Sequence, residues 1–227
     1  MSVSSHAGFM SLLKERGFDF SVFYDVGANI GSWSIEIQDM FPDAHFELFE
    51  PLGGRVAEVD EHSMLPKLHS ASLHPVALSD ETRDGEIKLL GDVGVGSSIL
   101  VLSGDRKKDI KIIPCEIVRM DEYVARERLE QPDFIKLDTQ AAELKVLKGA
   151  EQTIRGAKFI LLETWMRRVY GPDTPLFHEV TEWLYARDFV LYEILIQGDG
   201  RDSDGTLRWF DAVYINKSAS KFPSVML

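Results

Sequence analysis

Two glycines and an acidic residue follow an apolar run near the start of the chain, in the segment 25–31 (Asp-Val-Gly-Ala-Asn-Ile-Gly). The stretch Ser21 to Val26 predicts a buried strand, and Ser32 to Met40 predicts the helix after it, which Pro42 closes. Glycine permits a tight turn and a close approach of the backbone to a ligand. The segment therefore predicts a nucleotide-type binding loop between a strand and a helix.

The acid that leads this loop, Asp25, restricts the ligand. The dinucleotide fingerprint needs three glycines around a pyrophosphate, whereas Gly27 and Gly31 lie four residues apart without the third. A carboxylate repels phosphate but favours a ligand with a positive amino group. Glu50 ends the next predicted strand, where an acid can accept both hydroxyls of a ribose. S-adenosylmethionine carries an ammonium and a sulfonium but no phosphate, so it fits both acids.

Predicted strands and helices alternate along the chain, which implies right-handed crossovers and a doubly wound, mostly parallel α/β sheet with ligands at the carboxyl ends of its strands. The last two strands are predicted to pair antiparallel at one edge. The predicted strands are Ser21 to Val26, His45 to Phe49, Leu73 to Leu78, Asp133 to Leu137, Lys158 to Leu162, Phe189 to Ile196 and Trp209 to Ile215. The predicted helices are Ser4 to Arg16, Ser32 to Met40, Val56 to Leu65, Asp121 to Leu129, Ala142 to Arg155 and Phe177 to Arg187.

The length of 227 residues predicts a single domain over residues 1–227. Residues 1–20 are expected to hold an N-terminal helix. Residues 85–118 are expected to form a β-hairpin insertion around a glycine-rich stretch, Gly91 to Ser98.

The amino-acid composition limits which binding partners and which cellular compartment we expect for this protein. A net charge of −12 argues against nucleic acid or an anionic membrane as the main partner, and favours a small acceptor molecule. The start of the chain lacks the pattern of a signal peptide, and the single cysteine, Cys115, fits a reducing compartment. We therefore expect a cytoplasmic protein; the sequence does not indicate an oligomeric state.

Four segments together resemble the FkbM family of methyltransferases, and the resemblance runs from about Ser21 to about Asn216. They are 25–31, Phe49-Glu50-Pro51, Val76-Ala77-Leu78-Ser79-Asp80, and Ile135 to Gln140 running into Glu143 to Ala150. The resemblance implies a class I methyltransferase fold, Rossmann-like, that transfers a methyl group from S-adenosylmethionine to an oxygen. In this family the oxygen is often a hydroxyl of a sugar or a secondary metabolite.

The same resemblance implies most of the cofactor-binding residues. Together with the acids and glycines already described, the predicted cofactor-binding residues are Asp25, Gly27, Asn29, Gly31, Glu50, Pro51, Ala77, Leu78, Ser97, Ser98 and Asp138. The chain departs from the family at Ala141, where the family usually has glycine. If that position needs a positive φ, alanine strains it; if it is helical, alanine is harmless or mildly stabilising. The departure concerns the acceptor pocket more than the fold.

Three side chains are candidates for catalysis, because a hydroxyl nucleophile must lose its proton during methyl transfer. Asp138 and Glu163 end neighbouring strands, and His178 on a later helix could act as the base. Each could instead have a purely structural role: Asp138 could cap a helix, Glu163 could form a salt bridge, and His178 could be an ordinary surface residue. The two acids could also bind Mg²⁺, but no third ligand is evident, so no metal is predicted.

Four residues are candidates for contact with the acceptor: Gln140, Trp165, Arg168 and Tyr170. The segment Gly94 to Ser98 could cover the adenosyl group as a lid, or be an ordinary hairpin loop. Two other functions stay open. A nicotinamide-dependent dehydrogenase is disfavoured by the missing third glycine, and a catalytically silent cofactor-binding protein is suggested only by Ala141.

Overall fold

The computed structural model describes residues 5–90, 97–100, 110–196 and 200–219, over which strands and helices alternate. The strands are β1 (Val22–Val26), β2 (His45–Phe49), β3 (Ala71–His74), β4 (Val76–Ser79), β5 (Arg83–Leu90), β6 (Ile110–Arg119), β7 (Phe134–Leu137), β8 (Phe159–Trp165), β9 (Phe189–Leu195) and β10 (Trp209–Asn216). The α-helices are α1 (His6–Glu15), α2 (Ser32–Ile37), α3 (Ala57–Glu61), α4 (Met120–Glu127), α5 (Glu143–Lys148) and α6 (Phe177–Tyr185).

A central sheet holds seven strands in the order β3-β2-β1-β7-β8-β10-β9. The first five are parallel, and β10 runs antiparallel to both of its neighbours. The α/β class and the mostly parallel, doubly wound sheet predicted from the sequence are confirmed. The reversed strand β10 lies one position inside the edge strand β9.

A second, three-stranded sheet has the order β4-β6-β5, with β5 antiparallel to β6. This antiparallel pair occupies the region where the hairpin insertion is expected. Among the helices of the described ranges, each is too short or too polar to cross a bilayer.

The central strands are buried along their whole length because helices cover both faces. Phe23, Phe134 and Phe159 lie side by side across β1, β7 and β8 and pack on one face. Their neighbours along the strands pack on the other face. On the phenylalanine face, α1 contributes Phe9 and Leu13, both fully buried. This packing fixes the N-terminal helix to the sheet.

The predicted strand Leu73 to Leu78 is wrong as a single element. Pro75 divides it into β3, which pairs with β2, and β4, which pairs with β6 in the second sheet. Proline has no N–H to give to a ladder and fixes its own φ, so the chain leaves one sheet at this residue and enters another.

The predicted helices Ala142 to Arg155 and Val56 to Leu65 are too long. The first ends at Lys148. The following Gly149 packs tightly on β4, where a Cβ would lie 1.8 Å from the carbonyl oxygen of Ser79. The second spans only Ala57–Glu61. Beyond it, the Met64 amide donates to the Ile30 carbonyl, outside any helix.

Candidate active site

The glycine loop connects β1 to α2 and touches the end of β7. Gly27 has a φ of +74°, and a Cβ at this position would lie 1.9 Å from the carbonyl oxygen of Asp138. The amides of Gly27 and Ala28 both donate to the Phe49 carbonyl at the end of β2. Glycine is therefore required here by the neighbouring strand end.

The structure places Asp25 inside the protein. Its side chain is fully buried, with Oδ1 3.0 Å from Nζ of Lys136 and Oδ2 accepting from Ser34 at 2.8 Å. Lys136 also lies 3.6 Å from Asp138, whose side chain is 42% exposed. Burial lowers the pKa of Lys136, but the charges of Asp25 and Asp138 outweigh it and hold that pKa above its usual range. Lys136 thus contacts one buried acid, Asp25, and one partly exposed acid, Asp138.

Glu50 follows β2 and is also buried. Its Oε2 accepts from the amide of Asn29, and its Oε1 from the amide of Leu52, both at 2.9 Å. Burial raises the pKa of Glu50, while the two amides oppose that effect. The carboxylate is held at the mouth of the loop by both of its oxygens.

Two cavities meet at the carboxyl ends of these strands. The first has about 410 Å³ of empty space, its opening to solvent included, and a mainly apolar lining; the second has about 840 Å³ by the same measure and a larger polar share in its lining. The first is lined by Val26, Gly27, Phe49, Pro51, Val76, Ala77, Leu78, Ile87, Ser97, Ser98, Ile99, Asp138, Thr139 and Ala142. The second is lined by His6, Gly27, Ala28, Asn29, Ile30, Ser32, Trp33, Ser97, Lys136, Asp138 and Gln140. Gly27, Ser97 and Asp138 line both, so the two cavities are adjacent, and together they are called the groove.

Gln140 connects three of the predicted acceptor and catalytic residues. Its Nε2 donates to Asp138 at 2.8 Å and to Glu163 at 3.3 Å, and its Oε1 accepts from the Tyr170 hydroxyl at 2.5 Å. Its own carbonyl accepts from the Ser98 hydroxyl at 2.8 Å. The structure therefore brings five of the residues predicted from the sequence into one network.

Burial raises the pKa of Glu163 well above its usual range, and the charges of Asp138, Glu143 and Asp211 add to this effect. Asp211 lies on β10, directly opposite Glu163 in the strand register. Lys136 acts in the other direction. This cluster of acids favours a bound proton.

Ala141 adopts a φ of +77°, next to Gln140 at +54°. The position where the resemblance puts a glycine therefore needs a left-handed backbone, so the first of the two alternatives, a strained alanine, holds. The Ala141 side chain is buried against Leu100, Trp165 and Tyr170. Its methyl group adds apolar contact to that cluster and offsets part of the strain.

Glu143, the first residue of α5, fixes this left-handed turn. Its Oε1 accepts from the amides of Thr139 and Ala141 and from the Thr139 hydroxyl. Its buried Oε2 has no hydrogen-bond partner among the described atoms. Burial raises the pKa of Glu143 from 4.5 to about 7, despite the amides that lower it.

Glu143→Gln is expected to stabilise the fold at pH 8 and to have little effect at pH 5. A carboxyl whose pKa is raised to about 7 on folding contributes stability that is present at low pH and lost as the pH rises through that value. Glutamine mimics the protonated acid at every pH. The gain at pH 8 is about 3 kcal/mol, at ~1.4 kcal/mol per pKa unit.

Urea unfolding of both chains at pH 5 and pH 8 measures this difference. The exposed Glu36→Gln serves as the control. A pH dependence unchanged by Glu143→Gln would contradict the assignment.

The remaining predicted residues lie apart from the groove or support it indirectly. Trp165 is buried edge-on against Tyr170, with ring centroids 5.4 Å apart. Arg168 pairs with Glu179 at 2.6 Å and donates to two loop carbonyls, so it holds the loop before α6. His178 is exposed on α6 and is not among the residues that line either cavity. Gly94 to Gly96 of the expected lid lie outside the described residues.

Four titratable residues at the site escaped the sequence analysis: His6, Lys136, Glu143 and Asp211. Lys136 had a signal, because a lysine between Ile135 and Leu137 in a buried strand needs a charged partner. His6 and Asp211 had none, since they are 205 positions apart and meet only through the fold. Among the described residues, no group of three or more His, Cys, Asp or Glu side chains is placed to hold a metal ion.

The fold and the strand-end groove define a class I methyltransferase architecture. The family model for the methyltransferase FkbM domain matches residues 25–191, so the chain belongs to the FkbM methyltransferase family. The cofactor of this family is S-adenosylmethionine. Family membership favours the methyltransferase over the dehydrogenase considered from the sequence.

Individual relatives are distant. Hexuronic acid methyltransferase AglP of Haloferax volcanii is 25% identical over 153 residues, which cover 67% of this chain and 59% of AglP. The AMB antimetabolite synthetase AmbE of Pseudomonas aeruginosa is 27% identical over 184 residues, covering 65% of this chain and 8% of AmbE. The crystal structure of an FkbM methyltransferase from Methylobacillus flagellatus has a TM-score of 0.51 at 15% identity, and covers 87% of this chain and 43% of its own. This chain thus spans less than two thirds of each of these proteins.

The residues present fit the cofactor. The apolar first cavity has the character of an adenine site, and Glu50 lies between two of its lining residues, Phe49 and Pro51. Gly27, which lines both cavities, has no side chain and packs directly on the backbone of Asp138. Polar groups are concentrated in the second cavity, as the charged amino-acid end of the cofactor requires.

Proposed function

We propose that this chain is an S-adenosylmethionine-dependent O-methyltransferase that acts on a hydroxyl of a sugar or a small secondary metabolite. The observation that carries the proposal is that an apolar cavity and a more polar one lie side by side at Gly27 and Asp138. Such a junction suits a cofactor that spans both cavities and exposes its methyl group to an acceptor. The hexuronic acid specificity of AglP supports a hydroxylated acceptor.

The chain's own residues would bind and align the reactants. When bound, the cofactor supplies an electrophilic methyl group. Glu50 would accept the ribose hydroxyls, and Pro51, Ala77 and Leu78 would enclose the adenine. Asp138, held by Lys136 and Gln140, would stand where the cavities meet. Alignment of the acceptor and exclusion of water supply most of the rate in such a displacement.

Acids and hydroxyls around the junction support oxygen as the target of methylation. Gln140 and Tyr170 supply the donors and acceptors that a hydroxylated molecule needs, and Glu163 lies within the same network. A sugar hydroxyl presents matching groups. The expected acceptor is therefore polar.

Two measurements test the proposal. Calorimetric titration with S-adenosylmethionine is expected to show binding at or below the millimolar range. Incubation with methyl-labelled cofactor and a panel of free hexuronic acids, hexoses and phenolic metabolites is expected to label at least one of them, at oxygen by mass spectrometry. Cofactor binding with no label transfer across the panel would favour a catalytically silent protein, and label on nitrogen or carbon would contradict O-methylation.

Glu50→Gln is expected to weaken binding of S-adenosylhomocysteine by about 10- to 100-fold, because hydrogen bonds to a charged acceptor contribute about 1.5 to 3 kcal/mol. The exposed Glu61→Gln is the matched control and should bind as the wild type does. Titration calorimetry gives both dissociation constants. Equal affinity in the two variants would remove Glu50 from the cofactor site.

A further inference from the structure

A histidine from the N-terminal helix lies on the wall of the second cavity. His6, the first residue of α1, has a side chain that is 19% exposed, and its Nε2 lies 2.9 Å from Oδ2 of Asp211. The same cavity is lined by Asp138, Lys136 and Gln140. The imidazole therefore shares a cavity with the residues around the proposed methyl-transfer point.

Asp211 is a buried acid in the middle of a charged cluster. Its side chain is 8% exposed, and it faces Glu163 across the β8–β10 pair. Its charge contributes to the raised pKa of both Glu163 and Lys136. A buried carboxylate that contacts an imidazole fixes the orientation of the ring and selects its tautomer.

The packing of α1 does not depend on this contact. Phe9, Met10 and Leu13 are fully buried against the phenylalanine face of the sheet, and Ser5 caps the helix by accepting from the amide of Gly8. A histidine is therefore not needed to dock the helix. The His6–Asp211 pair also lies wholly outside residues 25–191, the part that matches the family model.

We infer that His6 is the general base of methyl transfer and that Asp211 positions it. This role rests on the proposed O-methylation. A neutral imidazole that donates Nε2–H to a carboxylate has Nδ1 as its basic atom. As the acceptor oxygen forms its bond to the methyl carbon, the carbon–sulfur bond breaks and its electron pair stays on sulfur. The hydroxyl proton passes to His6, and Asp211 stabilises the imidazolium.

His6→Gln is the decisive variant. The glutamine amide can still donate to Asp211 from near the position of Nε2, so the contact between α1 and β10 is kept while the basic nitrogen is lost. Toward a panel acceptor that the wild type labels, kcat is expected to fall about 100-fold. The dissociation constant for S-adenosylhomocysteine and the melting temperature should match those of the wild type.

Two other histidines make the test specific. His62→Gln, at an exposed site after α3, is the control and should keep full activity. His178→Gln tests the competing base, the exposed histidine of α6. Loss of activity in His178→Gln but not in His6→Gln would overturn the inference, as would full activity in His6→Gln. A loss of cofactor affinity as large as the loss of kcat would assign His6 to cofactor binding and overturn it too.

Asp211 is tested as a positioning residue. Asp211→Asn keeps a hydrogen-bond acceptor but removes the charge, and is expected to lower kcat about 10-fold with KM unchanged. Nitrogen-15 NMR of labelled histidine should show the neutral His6 ring protonated at Nε2 in the wild type. Protonation at Nδ1 would overturn the inference whether or not an acceptor is known. If the wild type labels no acceptor, the proposed function itself fails, which is a different result from an active His6→Gln.

Discussion

Gly27→Ala is expected to destabilise the fold by about 2 to 5 kcal/mol and to abolish cofactor binding. A left-handed φ costs a residue with a Cβ about 1 to 2 kcal/mol, and overpacking adds about 1 to 3 kcal/mol. Here the new methyl group would lie 1.9 Å from the carbonyl oxygen of Asp138, which is backbone at the end of β7. To relieve this overlap, the loop must move away from β7. That movement separates Gly27 from Asp138, and both residues line the two cavities.

The chain offers a matched control for this variant. Gly54 has a φ of +68°, close to that of Gly27, but a Cβ there would have no heavy atom within 4 Å. Gly54→Ala therefore reports the conformational cost alone, about 1 kcal/mol. Urea unfolding of the two variants gives the difference, which measures the contact with β7. Similar losses of stability in both would show that the approach of the loop to Asp138 is not a constraint.

Lys136→Met is the second change for which a large effect is expected, a loss of about 3 to 5 kcal/mol. Removing one partner of a buried ion pair leaves the other charge without compensation. Asp25 is fully buried, and among the described residues the hydroxyl of Ser34 would be its one remaining side-chain partner. Replacement of an exposed lysine, Lys148→Met, should change the free energy of unfolding by less than ~0.5 kcal/mol.

A double variant separates the charge from the packing. Asp25→Asn combined with Lys136→Met removes both charges, and is expected to recover about half of the stability that Lys136→Met alone loses. Chemical denaturation of the wild type, the two single variants and the double variant completes the cycle. Additive losses would mean that Asp25 and Lys136 act independently.

This pair changes the interpretation of the glycine loop. From the sequence, Asp25 was expected to attract the cofactor's ammonium through its own charge. In the structure Asp25 is paired with Lys136 and Ser34, and Asp138 is the carboxylate with exposed surface at the junction. We propose that Asp25 acts mainly by fixing Lys136, and that Asp138 meets the ligand.

The sequence by itself determined the fold class and the family. Both depend on local signals: the alternation of apolar strands and amphipathic helices, and short motifs in which glycine and acidic residues stand at strand ends. Such motifs predicted Gly27, Glu50 and Asp138 as site residues, because a strand end followed by a turn can be recognised from about ten consecutive residues. Nothing distant in the chain is needed to recognise them.

Only the tertiary structure decided how the side chains are paired. The division of the predicted strand at Pro75 depends on which strands β2 and β6 accept as partners. The strain at Ala141 depends on a φ that a neighbouring carboxylate, Glu143, holds in place. His6 and Asp211 meet because α1 packs under the sheet and β10 is inserted beside β8. Such contacts join residues far apart in sequence, and neither periodicity nor motif spacing carries that information.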